Sequence, residues 1–130
     1  MRRWAALLVV LFLGVVSGPA GAANWRFVAS GPNGNSWVDT TTLTRQGDCV
    51  TFWHRLTFKR KPMTDRLLFY QLRIKTRICC QARTLEELEY VALDHELEET
   101  SRWRPQREVR PIRRGTVGEA LLQFVCPRAR

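Results

Sequence analysis

Apolar and polar residues alternate with a period of two through most of the middle of the chain. From Cys49 onward, Val50, Phe52, His54, Leu56 and Phe58 share one face. Cys49, Thr51, Trp53, Arg55, Thr57 and Lys59 share the other. Successive side chains of extended backbone point to opposite faces, so this pattern, rich in aromatic and β-branched residues, predicts a strand over 49–58. The longest alternating run is Leu67–Cys80. Leu68, Tyr70, Leu72, Ile74, Thr76, Ile78 and Cys80 line one side of it, and Arg73, Lys75, Arg77 and Cys79 the other. A turn over Lys59–Asp65 separates the two runs, because Pro62 cannot continue a central strand. Shorter strands are expected at Trp25–Ala29 and Ser36–Asp39, split by the turn-forming cluster Ser30–Asn35, with a polar corner over Thr40–Gln46. Residues 85–93 and 96–104 give two more, but Leu88, Tyr90 and Ala92 compete with Val91 and Leu93 for the inward face.

The period changes near the C-terminus. Thr116-Val117-Gly118-Glu119 fits a capping box, in which Thr116 accepts from an early backbone N–H and Glu119 reaches back. Val117, Ala120, Leu121, Phe124 and Val125 follow as one helical stripe. Gly118 weakens that helix, so docking must stabilise it. In a regular helix Cys126 would face away from the stripe. Pro127 disfavours helical geometry at the residue before it, so unwinding at Cys126 is expected. About six strands followed by one helix predict an α+β fold, an antiparallel sheet with the helix on one face.

Two arginines, a run of apolar residues from Trp4 to Val16 and the small-residue segment Ser17–Ala23 open the chain. That order predicts a signal peptide cleaved after Ala22, leaving residues 23–130 as a single domain. The apolar run is shorter than the roughly 20 residues a membrane-spanning helix needs. No cysteine sits at the cleavage site, so no N-terminal lipid anchor is expected. Export changes the meaning of the four cysteines, Cys49, Cys79, Cys80 and Cys126. In an oxidising compartment they read as structural disulfides. Cys79 and Cys80 point to opposite faces and so take different partners, a vicinal bridge being strained.

The formal net charge is +9, and arginine supplies 18 of the 21 basic residues. Arginine favours bidentate contact with carboxylate, sulfate or phosphate. Two basic surfaces are candidates. One is the outward sheet face with Arg55, Lys59, Arg73, Lys75 and Arg77 around Trp53; the other is the arm with Arg102, Arg104, Arg107, Arg110, Arg113 and Arg114. Seven of the 12 acids lie between Glu86 and Glu99, and self-neutralisation by these is the competing reading. His54 lies among Phe52 and Leu56 and reads as a satisfied, partly buried histidine rather than a heme or metal ligand. Cys79-Cys80 has neither zinc-site nor redox C-x-x-C spacing, and no nucleophilic triad or phosphate loop is visible. No enzyme activity, metal or cofactor is expected.

Trp25, Trp37-Val38-Asp39, Leu43-Thr44-Arg45, Gly47, Trp53, the cysteine ending the long strand, Tyr90, Trp103, Pro111, Gly115-Thr116, Glu119 and Val125-Cys126 occur in an order that resembles the surface-adhesin protein E family of bacterial envelope proteins. The resemblance covers essentially the whole mature chain. It implies a curved six-stranded antiparallel sheet with the C-terminal helix docked on its concave face and tethered by a disulfide from Cys126 to the end of the long strand. Strand parity then selects Cys80, on the apolar face, and leaves Cys49 and Cys79 together on the other. Four cysteines allow three pairings. The resemblance also implies an exported, non-catalytic module, in the periplasm or at the cell surface, that binds host matrix or plasma proteins or anionic glycans. Lipid headgroups and a homodimer fit as well, and nucleic acid is disfavoured for an exported domain. The rival reading is a periplasmic envelope-maintenance domain bound to another envelope protein.

Overall fold

The computed structural model describes residues 22–58 and 71–129. The signal segment, the 59–65 turn with Lys59 and the start of the long strand fall outside them. Within them, β1 (Trp25–Ser30), β2 (Gly34–Asp39), β3 (Thr44–Gln46), β4 (Cys49–Phe58), β5 (Gln71–Cys79), β6 (Thr84–Leu93), β7 (Glu99–Trp103) and β8 (Val109–Pro111) precede one helix, α1 (Val117–Arg128). They form a single curved, unclosed antiparallel sheet in the order β1-β2-β4-β5-β6-β7, with β3 paired to β4 and β8 paired to β6.

Eight strands stand where about six were expected, and the register shows why. β4 and β6 are each ten residues long, and two of the sheet's six lanes are filled in tandem. Along β4, β2 pairs with the Phe58–His54 half and β3 with Thr51–Cys49. Along β6, β7 pairs with the Tyr90–Leu93 half and β8 with Thr84–Glu86. The corner between β2 and β3 is a 3-10 turn, Thr40–Thr42, capped by Asp39. Asp39 Oδ1 accepts from the Thr41 amide (3.0 Å) and hydroxyl (2.7 Å) and from the Asn24 amide (3.0 Å). Thr42 Oγ1 fills the gap in the lane by accepting from the Trp53 amide at 2.9 Å. A buried backbone donor left unpaired there would be costly.

The inner face carries the helix. Val38, Val50, Phe52 and Ile78 from the sheet pack with Leu121, Leu122, Val125 and Ala129. Burying a side chain of this size contributes about 1.5–3 kcal/mol, so this layer holds α1 in place. Thr116 Oγ1 accepts from the Glu119 amide (3.3 Å), while Glu119 Oε1 reaches one residue further back, to the Gly115 amide (3.3 Å).

Two sequence expectations need correction. α1 does not unwind at Cys126; it continues through Pro127 to Arg128. The buried residues are Leu121, Leu122 and Val125, followed by Ala129, so the docked face is rotated from the Val117–Phe124 stripe toward Leu122. Cys126 lies four residues beyond Leu122, one turn along the edge of that face. The helix end is also fastened from outside. Arg45 on β3 donates through Nη2 to the Cys126 carbonyl (2.9 Å) and through Nε to the Ala129 carbonyl (3.0 Å). A cation on last-turn carbonyls suits the helix dipole.

The second correction concerns β6. Lys75 pairs with Glu89 but Thr76 pairs with Glu87, so Leu88 is the extra residue of a β-bulge. Past it, Tyr90 and Ala92 lie on the inner face and Val91 and Leu93 on the outer, yet Val91 and Leu93 are buried. Both faces of the sheet therefore carry packing. Disulfides join Cys49 to Cys79 across β4 and β5, and Cys80 to Cys126 between the end of β5 and the last turn of α1.

Candidate ligand-binding face

The outer face divides into two halves. On the first, β1, β2, β4 and β5 stack aromatic rings and guanidinium groups alternately. Phe27 meets Trp37 edge-to-face at 5.4 Å. The Arg55 guanidinium lies 4.8 Å from the ring centres of both Trp37 and Trp25, and the Arg73 guanidinium lies 5.4 Å from that of Trp25. The register dictates this ladder: Phe27 opposes Trp37, Trp37 opposes Arg55, and Arg55 opposes Arg73. Trp25, Trp53 and Arg73 join buried Val91 and Leu93 in lining a recess of about 360 Å³.

Like charges directly opposed across two strands repel. Burial first, and then Arg73, push the Arg55 pKa down from its ordinary value. It stays protonated at neutral pH because guanidinium is so strong a base. Neither arginine has a carboxylate partner among the described residues; Arg73 Nε donates to Gln71 Oε1 at 3.0 Å, and the buried Arg55 Nε has no partner. The Trp faces offset part of the repulsion through cation–π attraction.

On the second half, the arginines are already paired. Glu86, only 3% exposed, accepts from Arg77 (3.3 Å) and from Arg107 (2.7 Å). The Arg107 hydrogen bonds hold its carboxyl below the usual carboxylate range, against the upward push of burial. Arg102 clamps Glu89 and Glu99, at 2.7 Å to each. These bonds lower the Glu99 pKa and raise that of Arg102. On the helix side, Arg110 pairs with Glu87 at 3.0 Å.

The expected basic residues thus part company. Arg55 and Arg73 come together, with Lys75 one pair along opposite Trp53. Arg77, Arg102, Arg107 and Arg110 are taken up by glutamates. Arg104 shares a small cleft with Lys75, Arg113 lines a cleft on the helix side, and Arg114 is exposed. Arg104, Arg113 and Arg114 form no ion pair among the described residues. Trp25, Phe27 and Trp37 were not singled out from sequence as site residues. Their parity was readable, but not that β1 lies beside β2 and β2 beside β4. No cluster of three metal-ligating side chains occurs among the described residues.

A curved sheet braced by one disulfide and clamped to its helix by another, with a ring-and-guanidinium surface turned outward, is a rigid scaffold for binding. No curated protein matches the sequence at a significant level. Protein E from non-typeable Haemophilus influenzae, a solved structure, superposes with a TM-score of 0.57 at 13% identity, over 85% of this chain and 81% of that one. That likeness speaks for the fold. The sequence itself matches the family model "Surface-adhesin protein E" over residues 25–127, and the chain belongs to that family. Membership makes it an exported, surface-adhesin-like binding protein. No helix among the described residues is long and apolar enough to cross a membrane.

Proposed function

We propose that the protein is a non-catalytic adhesin module, freed from its signal peptide after Ala22, that binds anionic groups on host matrix proteins or sulfated glycans through the ladder half of its outer face. The observation that carries this reading is the Arg55–Arg73 pair, opposed across β4 and β5, in contact with Trp25 and Trp37 and without a carboxylate partner among the described residues. A carboxylate or sulfate bridging the pair relieves the repulsion and gains charge-assisted hydrogen bonds. Tryptophan and arginine are also the residues that most often dominate binding energy at interfaces. Lys75 and Trp53 extend the surface, whereas the paired arginines of the other half contribute little net charge.

The test is retention on immobilised heparin and on immobilised matrix proteins through a salt series. Retention at low salt that weakens as salt rises is expected, and Arg73→Glu should lower affinity about tenfold or more. Absence of retention at low salt overturns the proposal. Labelling of intact cells then separates a surface adhesin from a periplasmic domain, since only the former is labelled.

A further inference from the structure

The recess beside the ladder, about 360 Å³, joins apolar walls to charged ones. Trp25, Trp53, Val91, Leu93 and Leu97 supply the apolar side, and Val91 and Leu93 are the least exposed of its residues. Leu97 stands there against its local preferences. It is 53% exposed and its φ is +61°, a left-handed conformation unusual for a bulky residue. Asp94 fixes the turn between β6 and β7 that carries it. The Asp94 carbonyl accepts from the Leu97 amide (3.0 Å), and Asp94 Oδ1 accepts from the amides of Glu96 (2.9 Å) and Glu98 (3.0 Å). Residues held in such conformations cluster at ligand sites. Here the turn keeps an apolar side chain on the rim of a recess open to solvent.

The charges lining the recess offset one another, except for one. Arg102 is bonded to Glu99 and to Glu89, at 2.7 Å to each. The proposed cleavage after Ala22 leaves an ammonium on Ala23, which lines the recess with Asp39. Asp39 accepts the amide of Asn24, the very next residue, at 3.0 Å, so these two charges offset each other. Arg73 remains. Its Nε is taken by Gln71, and it has no carboxylate partner among the described residues. The unpartnered side-chain nitrogens sealed from solvent are His54 Nε2 and Arg55 Nε, so the Nη groups of Arg73 are open. One open guanidinium calls for one negative charge, and the nearby carboxylates of Asp39 and Glu99 repel an occupant carrying more. Two Nη groups match the two oxygens of a carboxylate. The apolar walls call for an apolar body, and a volume at the small end of ligand pockets limits it to about one ring.

We propose that the recess binds a monocarboxylate with an apolar body of about one ring, the carboxylate on Arg73 and the body against Trp53, Leu93 and Leu97. A free arylalkanoic acid and a polypeptide ending in an aromatic residue share this chemistry. The inference rests on the proposed anion-binding face, whose Arg73 it shares, and names what this part of the face selects. The test titrates the disulfide-bonded chain with 3-phenylpropanoate, with its neutral amide and with N-acetylglycyl-phenylalanine, while NMR signals are followed. 3-Phenylpropanoate should shift the indole signals of Trp25 and Trp53 and the methyl signals of Val91, Leu93 and Leu97. It should bind about tenfold more tightly than the amide, the worth of a charge-assisted contact. Arg73→Gln should erase that preference. Leu97→Gly suits the left-handed conformation and so keeps the fold; it should weaken the acid about fivefold by removing one apolar wall and leave retention on heparin unchanged. Tighter binding of N-acetylglycyl-phenylalanine than of 3-phenylpropanoate assigns the chain end as the source, and the reverse assigns the free acid. Heparin retention without binding of 3-phenylpropanoate overturns the recess alone, whereas binding without heparin retention overturns the wider face and leaves the recess standing. Equal binding of acid and amide, shifts confined to other residues, or undiminished binding by Leu97→Gly overturns the proposal.

Discussion

The two halves of the outer face hold arginine by different means. In the β1–β2–β4 half, guanidiniums are held by indole rings, which keep them ordered but leave their charge unspent. In the β6–β7–β8 half they are held by carboxylates, which order and neutralise them together. The comparison teaches that a net charge of +9 says little about where charge is available. Acid-rich residues 86–99 and the arginines on either side look like opposed blocks in the chain, and the fold interleaves them. What remains without a carboxylate among the described residues includes the opposed pair Arg55 and Arg73, with Arg104, Arg113 and Arg114 apart from it.

The largest way to break this contrast is Trp37→Ala. It removes one wall of the Arg55 stack, the edge contact with Phe27 and the 3.3 Å hydrogen bond to Thr57 Oγ1. A loss of about 3 kcal/mol in urea unfolding is expected, with a fall in heparin retention. A loss below about 1 kcal/mol would show that the ladder does not organise its half.

Acid attacks the other half. Glu86 has a depressed folded pKa, so its stabilisation is complete above the ordinary carboxylate pKa and disappears as pH falls through the lower, folded value. His54 acts earlier. Its folded pKa of about 4 lies below the unfolded 6.5, so stability is full above about pH 6.5 and declines until about pH 4. Unfolding free energy measured against pH should therefore fall in two limbs. Glu86→Gln should cost about 2 kcal/mol at neutral pH and flatten only the lower limb. The partners Arg77 and Arg107 are partly solvated, which keeps the figure below that of a fully buried pair.

The smallest effect sharpens the contrast most. Arg102→Ala breaks two surface ion pairs and should shift the urea midpoint least of these variants and leave heparin retention nearly unchanged. Matched against Arg73→Ala, which removes the same single charge, it asks whether retention follows unspent charge or total charge. Equal losses in the two variants would dissolve the distinction between the halves.

Much of the scaffold was legible because strand parity is a strong constraint. Alternation over 49–58 and 71–80 separates Val50, Phe52 and Ile78 from Arg55, Arg73 and Arg77, and puts Cys79 and Cys80 on opposite faces. Three features resisted for physical reasons. β3 and β8 are three residues each, too short to show a period, and exist because long neighbours offered them unpaired edges. The bulge at Leu88 shifts the register of β6 by one residue, so its pattern read continuously is contradictory. The end of α1 was misjudged because Pro127 was weighed as a local breaker, while Arg45, distant in sequence, satisfies the carbonyls at the helix end. The ladder was hidden for a related reason. Its rungs come from four strands, and lateral order is not written in any one of them. His54 was rightly placed inward but wrongly taken as satisfied, since the hydrogen-bond partners of a buried side chain leave no trace in alternation.

Adjacent cysteines with separate partners have a mechanical consequence. A pull applied between residue 22 and residue 129 follows the shortest covalent route: along the chain to Cys49, across to Cys79, one peptide bond to Cys80, across to Cys126 and out. Residues 50–78 and 81–125 form closed loops off that route and carry no tension. Only β1 to β3 and the last few residues can be drawn out, a length on the order of 100 Å at roughly 3.5 Å per residue. Beyond that point the strain falls on covalent bonds, while β4 to β6 and most of α1 stay folded.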